Sequence, residues 1–454
     1  MKPKLFGSSG IRGLINKDIT TQLTQRVGVA MATMNKGGQV MVGYDTRTSG
    51  SMLESALTAG LNAGGCDVIH VGIVPTPVTA WMIRETHSDG GVMITASHNP
   101  PEYNGLKIFN SEGMSLTIKE QLATEKVLEE EYYRWADWSS IGLVDKVDAI
   151  NPYVEMLDES LNIERERKVA LDCFCGATST LAPEALRGFP LESKIINAVP
   201  DGSFPAGNPE PNRINLMRLG RYMKAIDCAI GFGFDGDGDR MMTVGSNGVM
   251  VNPDKALAAY AGYVVEKNGG GSVVTHVGAS MSIEDAVENS GGNVIRTPVG
   301  DAFITEEMRK NNAVFGGEPV GAWVFPEHHM CPAGVLGALK ILEALEETEA
   351  TIEEFISDTP EYPLDRVKIE CREKNKEIAM KKISEQYQDV YRDVDSVILV
   401  DGVRFEMEKG WVLIRPSGTE PVIRLTVEGK TSGDVEDIME RGQVLVKKVL
   451  GELN

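Results

Sequence analysis

One arrangement occurs three times along this chain and constrains its fold more than any other feature. In each copy an apolar strand rich in β-branched residues leads into a loop of small or polar residues, and a helical stretch follows. Strands alternating with helices favour α/β domains, and such loops present backbone N–H groups at helix N-termini, where anions bind. The copies run from Gln39–Asp45 into Thr46–Gly50, from Lys168–Asp172 into Cys173–Thr178, and from Ser272–His276 into Val277–Ser282.

The length of the chain requires more than one domain. At 454 residues it exceeds what a single hydrophobic core supports. After a linker that begins at Thr359-Pro360, strands alternate with two helices, which is typical of an antiparallel α+β domain. We therefore predict three related α/β domains over residues 1–150, 151–252 and 253–360, followed by a C-terminal α+β domain over residues 361–454.

The charge and the cysteines exclude several classes of protein. A formal net charge of −21 repels nucleic acid and anionic lipid, so neither is expected as a partner. The six cysteines form no C-x-x-C pair and suggest buried free thiols rather than a disulfide framework. The sequence also has no apolar run of the length that a membrane span or a signal peptide requires. We expect a cytoplasmic protein.

A serine in a polar turn is the first candidate catalytic group. Thr95-Ala96-Ser97-His98-Asn99-Pro100 follows the apolar strand Gly91–Ile94, and Lys107 comes shortly after. A serine at a tight turn after a buried strand projects its hydroxyl into a cleft. His98 and Lys107 would supply proton transfer and positive charge for phosphoryl chemistry. A hairpin turn stabilised by Ser and Asn side chains fits these residues equally well when they are taken alone.

Three carboxylates separated by glycines form the second motif. Phe234-Asp235-Gly236-Asp237-Gly238-Asp239-Arg240 follows the apolar run Ala229–Phe232. The three Asp side chains can converge on one hard cation such as Mg²⁺. An EF-hand is excluded, because its sixth and twelfth positions are occupied here by Arg240 and Ser246. A solvated acidic turn is the other interpretation, but the mutual repulsion of three carboxylates at a sheet edge favours the metal site.

The third motif joins two C-terminal strands. It reads Arg415-Pro416-Ser417-Gly418-Thr419-Glu420-Pro421, with Arg424 beyond. Gly418 lets the backbone turn its N–H groups inward, while Ser417 and Thr419 add hydroxyl donors. Arg415 offers a bidentate fork. We interpret this loop as a phosphate cup without a Walker lysine, and a decorated hairpin is the alternative.

Two glycine-rich loops are ambiguous by themselves. The loop Phe6–Gly13 carries one cation, Arg12. The loop Gly316–Gly321 carries the carboxylate of Glu318, which suits a pair of sugar hydroxyls. Each loop alone is more typical of a plain connection than of a site.

The histidines outside these motifs are given no function. His328 and His329 lack the spacing of metal ligands, and we expect them in or near a surface loop. His276 has no recognisable partner in the sequence.

Taken together, the motifs resemble the α-D-phosphohexomutase family. F-G-S-S-G-I-R-G, T-A-S-H-N-P, D-G-D-G-D-R, G-E-P-V-G and R-P-S-G-T-E-P occur in the order and with the spacing of that family, over essentially the whole chain. The resemblance implies four domains around a central cleft, with mixed sheets in the three α/β domains. The domains would supply, in order, a phosphoserine loop, a metal loop, a sugar loop and a phosphate loop.

Within this family the chain is most similar to members that act on glucosamine phosphate. Asp301 stands where mutases for mannose and glucose phosphates more often have His. The sugar loop departs from the usual G-E-x-S-G-H, since Val320 and Ala322 replace the Ser and the His. Pro332-Ala333-Gly334 also lacks an acidic residue that the family leads us to expect before the glycine.

The resemblance implies an isomerase that interconverts glucosamine 6-phosphate and glucosamine 1-phosphate through phosphoserine and a bisphosphosugar. The implied cofactors are one Mg²⁺, a covalent phosphate on Ser97 and a hexose 1,6-bisphosphate activator. The partner would be a hexosamine or hexose phosphate, and a homodimer is allowed. The implied residues are Ser97, His98, Lys107 and Arg12 for catalysis, Ser97, Asp235, Asp237 and Asp239 for the metal, and Arg240, Gly300, Asp301, Glu318, Arg415, Ser417, Gly418, Thr419 and Arg424 for the substrate.

Three other functions stay open at this point. A phosphomannomutase/phosphoglucomutase would use the same motifs on another hexose. A metal-dependent sugar phosphatase would share Ser97 and the acidic loop but would not need a distal phosphate cup. A non-catalytic phosphosugar-binding protein would be indicated by a missing nucleophile or metal carboxylate, and the sequence has all of them.

Overall fold

Four β-sheets follow one another along the chain, each with its own helices. The computed structural model describes residues 3–7, 9–417 and 420–453. The first unit contains β1 (Ile11–Leu14), α1 (Thr21–Asn35), β2 (Gly38–Tyr44), α2 (Gly50–Ala63), β3 (Cys66–Ile73), α3 (Thr76–Glu85), β4 (Gly90–Ile94), β5 (Tyr103–Asn110), α4 (Ile118–Glu130) and β6 (Val144–Lys146). The second contains α5 (Ile150–Ser160), β7 (Arg167–Asp172), α6 (Thr178–Ala185), β8 (Leu191–Ile196), α7 (Met217–Ala225), β9 (Ile230–Phe234) and β10 (Met241–Val244).

The third and fourth units complete the chain. The third contains α8 (Pro253–Lys267), β11 (Gly271–His276), α9 (Ser282–Asn289), β12 (Gly292–Thr297), α10 (Asp301–Asn311), β13 (Phe315–Gly317), β14 (Trp323–Val324), α11 (Gly334–Glu347) and α12 (Ile352–Phe355). The fourth contains β15 (Leu364–Glu370), α13 (Lys376–Gln386), β16 (Ser396–Ile398), β17 (Val403–Met407), β18 (Gly410–Pro416), β19 (Val422–Gly429) and α14 (Ser432–Gly451).

The first three sheets share one topology. They contain the strand orders β5-β4-β2-β3, β10-β9-β7-β8 and β14-β13-β11-β12, to which the first sheet adds β1 and β6 at its edges. In each sheet one strand has a parallel neighbour on both sides, and these strands are β2, β7 and β11. A hairpin then adds one antiparallel strand, which is β5, β10 or β14. The fourth sheet, β15-β19-β18-β17-β16, is antiparallel throughout. The predicted fold class is therefore confirmed.

The burial of the strands explains why these sequences form these sheets. Every residue of β4 and β9 is buried, as expected for central strands that have layers packed on both faces. In the fourth unit β15 alternates between exposed and half-buried residues over its second half, which is typical of an antiparallel strand with one solvated face. Helix α8 begins as the sequence suggests: Asn252 accepts hydrogen bonds from the first turn and Pro253 occupies its first position.

The three repeated loops share one hydrogen bond. The side chain at the end of the first strand accepts the backbone N–H of the residue two positions later, at 2.9 Å in all three units. The accepting atoms are Asp45 Oδ1, Asp172 Oδ1 and His276 Nδ1. The structural repetition thus extends to individual atoms, with a histidine in the third unit where the others have an aspartate.

Several further predictions can be compared with the structure. All six cysteines are free and buried, as predicted. In the part of the chain that the structure describes, every helix is too short or too polar to cross a membrane. The prediction that His328 and His329 lie in or near a surface loop is wrong, because both side chains are buried and His329 Nε2 forms a 2.9 Å hydrogen bond with the Tyr153 hydroxyl.

Candidate active site

The hairpins of the three related sheets carry the candidate loops. The β4–β5 loop holds Ser97, the β9–β10 loop holds the three aspartates, and the β13–β14 loop holds Glu318. The β18–β19 hairpin of the fourth unit holds Ser417. Because these three loops occupy equivalent positions in one repeated topology, the fold itself assigns each α/β unit one part of the site.

Ser97 is buried and held in a strained turn. Its φ of 52° lies in the left-handed region, which non-glycine residues seldom adopt. The backbone N–H of Ser97 donates to Thr95 Oγ1 at 2.8 Å, and Ser97 Oγ donates to Asp235 Oδ2 at 2.6 Å. The turn therefore directs the hydroxyl of the first unit at the acidic loop of the second.

A buried arginine holds this turn in place. The Arg47 guanidinium donates to four backbone carbonyls of the Ser97 loop and pairs with Asp45 Oδ2 at 3.0 Å. Asp45 Oδ2 also accepts the Thr95 hydroxyl at 2.6 Å. The four carbonyls belong to Ser97 (2.9 Å), Asn99 (2.6 Å), Pro100 (2.5 Å) and Tyr103 (3.0 Å). Arg47 and Asp45 thus connect the strand end of β2 to the whole serine loop.

The three aspartates converge as the sequence predicts for a metal centre. Asp235, Asp237 and Asp239 are buried, and each offers one oxygen within 4.8 Å of the other two. Burial and the charges of the other two carboxylates raise the pKa of Asp235 well above its usual range. Gly236 is required by the close approach of the loops, since a Cβ there would lie 2.5 Å from the Ser97 carbonyl oxygen.

A cation would satisfy atoms that the described residues leave without partners. Asp237 Oδ1 and Asp239 Oδ1 are buried and accept no hydrogen bond from any described residue. The other oxygen of Asp237 accepts the Thr76 hydroxyl at 2.6 Å and Lys107 Nζ at 2.6 Å, and Lys107 also binds Asp239 Oδ2. Two unfilled carboxylate oxygens beside an acidic neighbour fit a hard divalent cation such as Mg²⁺.

Basic groups surround the serine and the aspartates. Although burial alone would lower it, the charges of Asp237 and Asp239 raise the pKa of Lys107. His98 Nδ1 lies 3.4 Å from Ser97 Oγ and accepts a 3.2 Å hydrogen bond from Arg240. Burial, together with Arg240 and Arg12, lowers the pKa of His98 to about 4. Arg12 Nε and one terminal nitrogen are buried without a partner among the described residues, which suits them to an anionic ligand.

The sugar loop holds a buried carboxylate beside the start of α10. The backbone N–H of Gly300 donates to Glu318 Oε1 at 3.1 Å, and Glu318 is 6% exposed. Burial, with the nearby charge of Asp301, raises the pKa of Glu318 to about 7. Both oxygens of Asp301 accept hydroxyls of the first unit, from Ser9 at 3.1 Å and Ser115 at 2.7 Å. Asp301 therefore ties the third unit to the first at the edge of the site.

The C-terminal hairpin contributes a basic cavity. Arg366, Arg415 and Arg424 line it together with Ser417 and His276, and its volume is about 320 Å³. The Ser417 N–H donates to the Val422 carbonyl at 2.9 Å, closing the hairpin, and Arg415 pairs with Asp401. Arg424 donates to Glu420 Oε2 at 2.6 Å. The predicted residues Gly418 and Thr419 lie outside the described residues.

Models of a known family match the chain in four consecutive pieces. The alpha/beta/alpha domains I, II and III of phosphoglucomutase/phosphomannomutase match residues 3–134, 151–248 and 252–362, and the C-terminal domain matches residues 367–441. The phosphoglucosamine mutase of Methanocaldococcus jannaschii is 39% identical over 455 residues, which cover 99% of this chain and 100% of that protein. This chain belongs to the phosphoglucomutase/phosphomannomutase family. The family resemblance predicted from the motifs is confirmed.

Other members of the phosphoglucomutase/phosphomannomutase family agree with this assignment. The probable phosphoglucosamine mutase of Methanosphaera stadtmanae is 40% identical over 442 residues, or 96% of each chain. A phosphoglucomutase/phosphomannomutase family protein of Burkholderia thailandensis superposes with a TM-score of 0.89 at 26% identity, covering 98% of this chain and 97% of its own. A putative phosphomannomutase of Thermus thermophilus gives a TM-score of 0.81 at 27% identity, covering 98% and 100%.

Three residues of this family member have contacts that sequence reasoning missed. Arg47 and Thr76 lie outside the recognised motifs, yet they hold the serine loop and Asp237 respectively. For Arg47, the signal that the sequence offered was a pair of charged residues, Asp45 and Arg47, directly after a buried strand. The third residue, Arg366, lies on β15 and lines the basic cavity with Arg415 and Arg424. It comes some fifty residues before the loop Arg415–Pro421 in the sequence, because strands that are neighbours in a sheet can be far apart along the chain.

Proposed function

We propose that this protein is a phosphoglucosamine mutase, which interconverts glucosamine 6-phosphate and glucosamine 1-phosphate. The observation that carries the proposal is a buried carboxyl group, Glu318, that lies near two separate groups of basic side chains, one around Ser97 and one in the C-terminal cavity. In the region around Ser97, Ser97 Oγ donates a 2.6 Å hydrogen bond to Asp235 Oδ2. Three arginines line the C-terminal cavity. Glu318 itself lies beside Gly300. The names of relatives at about 40% identity over the full length support the choice of substrate.

The acidic loop would hold one Mg²⁺. Asp235, Asp237 and Asp239 would be its protein ligands, together with the oxygen of Ser97, and the two unpartnered carboxylate oxygens support this assignment. Bound there, the cation would neutralise negative charge on the phosphoryl group in transfer. Lys107, which contacts two of the three aspartates, would bring a further positive charge to the same place.

Ser97 would carry the phosphate in the resting enzyme. The phosphoryl group passes from Ser97 Oγ to a sugar hydroxyl oxygen, and the proton of that hydroxyl passes to a base. The bisphosphosugar then turns end for end, and Ser97 Oγ takes the other phosphoryl group. We assign proton transfer at the serine to His98 because its Nδ1 is 3.4 Å from Ser97 Oγ. Arg12 and Arg240 would bind the oxygens of the moving phosphoryl group.

The distal loop would hold the phosphate that does not react. Arg415 and Ser417 face the basic cavity, and Arg424 lies opposite Arg415 on the neighbouring strand. Gly418 and Thr419 remain predicted members of this cup. Because Glu318 addresses hydroxyls common to both orientations of the sugar, the bisphosphosugar can be held at either end while the two phosphate regions exchange roles.

The preference for glucosamine would come from Asp301. Its carboxylate is fixed at the edge of the site by Ser9 and Ser115, and an amine at carbon 2 of the sugar would meet it favourably. Pocket differences of this kind discriminate by roughly one to two powers of ten. Asp301→Asn should narrow the gap between glucosamine and glucose 6-phosphates more than it lowers turnover of glucose 6-phosphate.

A substrate panel tests the proposal. Glucosamine, glucose and mannose 6-phosphates are compared with a hexose 1,6-bisphosphate activator and Mg²⁺, and both isomerised sugar phosphate and inorganic phosphate are measured. We expect isomerised glucosamine phosphate to form fastest. A tenfold preference for mannose or glucose 6-phosphate would replace the assignment by phosphomannomutase/phosphoglucomutase, and release of inorganic phosphate in place of isomerised sugar would indicate a phosphatase.

We also propose a cytoplasmic location for this enzyme, and the family resemblance allows a homodimer. Six buried thiols without a disulfide suit a reducing compartment. Sedimentation of the purified protein would test the homodimer, and a monomer at micromolar concentration would contradict it.

A further inference from the structure

His276 is placed where the sugar loop and the phosphate cavity meet. It ends β11, and its side chain lines the basic cavity together with Arg415 and Ser417. Its Nε2 lies 4.0 Å from Glu318 Oε1. The residue therefore faces both the carboxylate proposed to bind the sugar and the cavity proposed to bind its phosphate.

The hydrogen bonds of His276 fix the position of its proton. Nδ1 accepts the Gly278 N–H at 2.9 Å, so a neutral ring carries its proton on Nε2. Burial, together with Arg296 and Arg415, lowers the pKa of His276 to about 3, and the ring is therefore neutral near pH 7. Nε2 is consequently a hydrogen-bond donor directed toward the Glu318 side of the cleft.

A distance of 4.0 Å is too long for a direct hydrogen bond, but one oxygen placed to the side of the line that joins the two atoms can lie about 2.8 Å from both. A sugar hydroxyl can accept from His276 Nε2 and donate to Glu318 in the same position, because a hydroxyl is both a donor and an acceptor. The loop Gly316–Ala322 offers no side-chain donor of its own, since Glu318 is its only polar side chain. A side-chain donor for the sugar must therefore come from another element.

We propose that His276 is a substrate-binding residue, which donates a hydrogen bond from Nε2 to the sugar hydroxyl that Glu318 binds. The proposal rests on the proposed function in that the ligand is a hexose phosphate. It explains why the third repeat has histidine where the first two have Asp45 and Asp172. All three side chains cap the loop, but only the histidine can cap it and donate to the ligand at once.

Binding measurements on deoxy sugars test the contact. Dissociation constants are measured by calorimetry for glucosamine 6-phosphate and its 3-deoxy and 4-deoxy derivatives, in a Ser97→Ala background that cannot turn over. His276→Ala should weaken binding of glucosamine 6-phosphate roughly tenfold, as for a lost hydrogen bond. The same substitution should have little effect on the one derivative that lacks the bridging hydroxyl. An equal loss on all three ligands would overturn the proposal.

Two further variants separate ligand binding from loop capping. His276→Asp preserves the cap, because Asp45 and Asp172 form the same cap in the other two units, but it removes the Nε2 donor. This variant should therefore also lose affinity only for the ligands that have the bridging hydroxyl. It can be measured even if His276→Ala does not fold. Asp172→Ala removes the equivalent cap from the second unit. Its effect on affinity should be the same for glucosamine 6-phosphate and for the 3-deoxy and 4-deoxy derivatives. If His276→Asp binds all three ligands like the parent protein, His276 only caps the loop and the proposal is wrong.

Mutase activity of the wild-type protein is measured in parallel. Binding with the expected dependence on one hydroxyl but without isomerisation would refute the mutase and retain the His276 contact. Isomerisation without that dependence would refute the contact and retain the mutase.

Discussion

Two variants at Arg47 and Asp45 should distinguish two effects of Arg47. One effect is on the stability of the first unit, and the other is on the position of Ser97. Arg47 and Asp45 are both buried, and their ion pair is inaccessible to solvent. In Arg47→Met the carboxylate of Asp45 would remain buried without its cation. In the double variant Asp45→Asn/Arg47→Met both charges are gone, while Asn Oδ1 can still accept the backbone N–H of residue 47 and the amide Nδ2 can donate to Thr95 Oγ1.

The magnitude follows from the burial of this pair. Breaking a buried ion pair by removing one partner costs about 3–5 kcal/mol, whereas replacing both partners is close to neutral. In a unit of this size each kcal/mol lowers the unfolding midpoint by about 2–4 °C, so Arg47→Met should lower it by roughly 6–20 °C. The double variant should recover the part of that loss that comes from the uncompensated charge of Asp45.

The pH dependence gives an independent check. Burial raises the pKa of Asp45, and Arg47 opposes that shift. Without Arg47 the pKa would rise further, so the folded variant would bind more protons than the unfolded chain. Its stability would then increase as the pH falls, and its deficit relative to wild type should shrink between pH 7 and pH 5. A deficit that is independent of pH would refute the buried-charge argument.

Turnover should not recover with stability. The double variant lacks the four hydrogen bonds from Arg47 to the Ser97 loop, and a displacement of about 1 Å at a reacting group can cost about a hundredfold in rate. We therefore expect a stable protein with kcat lowered by about two powers of ten and an unchanged KM. Thermal unfolding and initial rates measure both quantities. Wild-type kcat in the double variant would show that Arg47 acts on stability alone.

Three further substitutions test the site directly. Ser97→Ala should abolish turnover and also the phosphate adduct expected in the intact mass of fresh wild-type protein; full activity would exclude a covalent mechanism. Asp237→Asn removes one ligand charge, so the Mg²⁺ concentration for half-maximal activity should rise and kcat fall by orders of magnitude; an unchanged Mg²⁺ requirement would place the metal elsewhere. Arg415→Ala should cost about 2–4 kcal/mol, or roughly thirty- to several-hundredfold in kcat/KM, with the half-exposed Arg424→Ala as the milder control; equal effects of the two would contradict a cup centred on Arg415.

The architecture was predictable because local signals repeat. An apolar strand followed by a polar loop and a helical stretch is recognisable wherever it occurs, and three copies of this pattern predict three related α/β domains. The acidic loop was predictable for a similar reason, since three aspartates at alternate positions must repel one another, and this is visible in the sequence itself. The positions of Asp235, Asp237 and Asp239 around a common point follow from the turn that their glycines allow.

The contacts between units could not be read in the same way. Lys107 belongs to the first unit but contacts Asp237 and Asp239 of the second, and Asp301 of the third accepts hydroxyls of the first. Nothing in the spacing of these residues relates one unit to another. His328 and His329 show the same difficulty, because the junction that buries them involves Tyr153 from a distant helix.

The charges of the site explain why phosphate and metal should bind as a pair. Three carboxyl groups, Asp235, Asp237 and Asp239, lie beside three cations, Lys107, Arg12 and Arg240, so these charges balance once all three carboxyl groups ionise to bind a cation. A phosphate monoester brings close to two negative charges and Mg²⁺ brings two positive ones. Either ligand alone would leave an uncompensated charge among buried groups, which is costly, whereas the two together restore the balance. It follows that Mg²⁺ should bind more tightly when Ser97 is phosphorylated than when it is not.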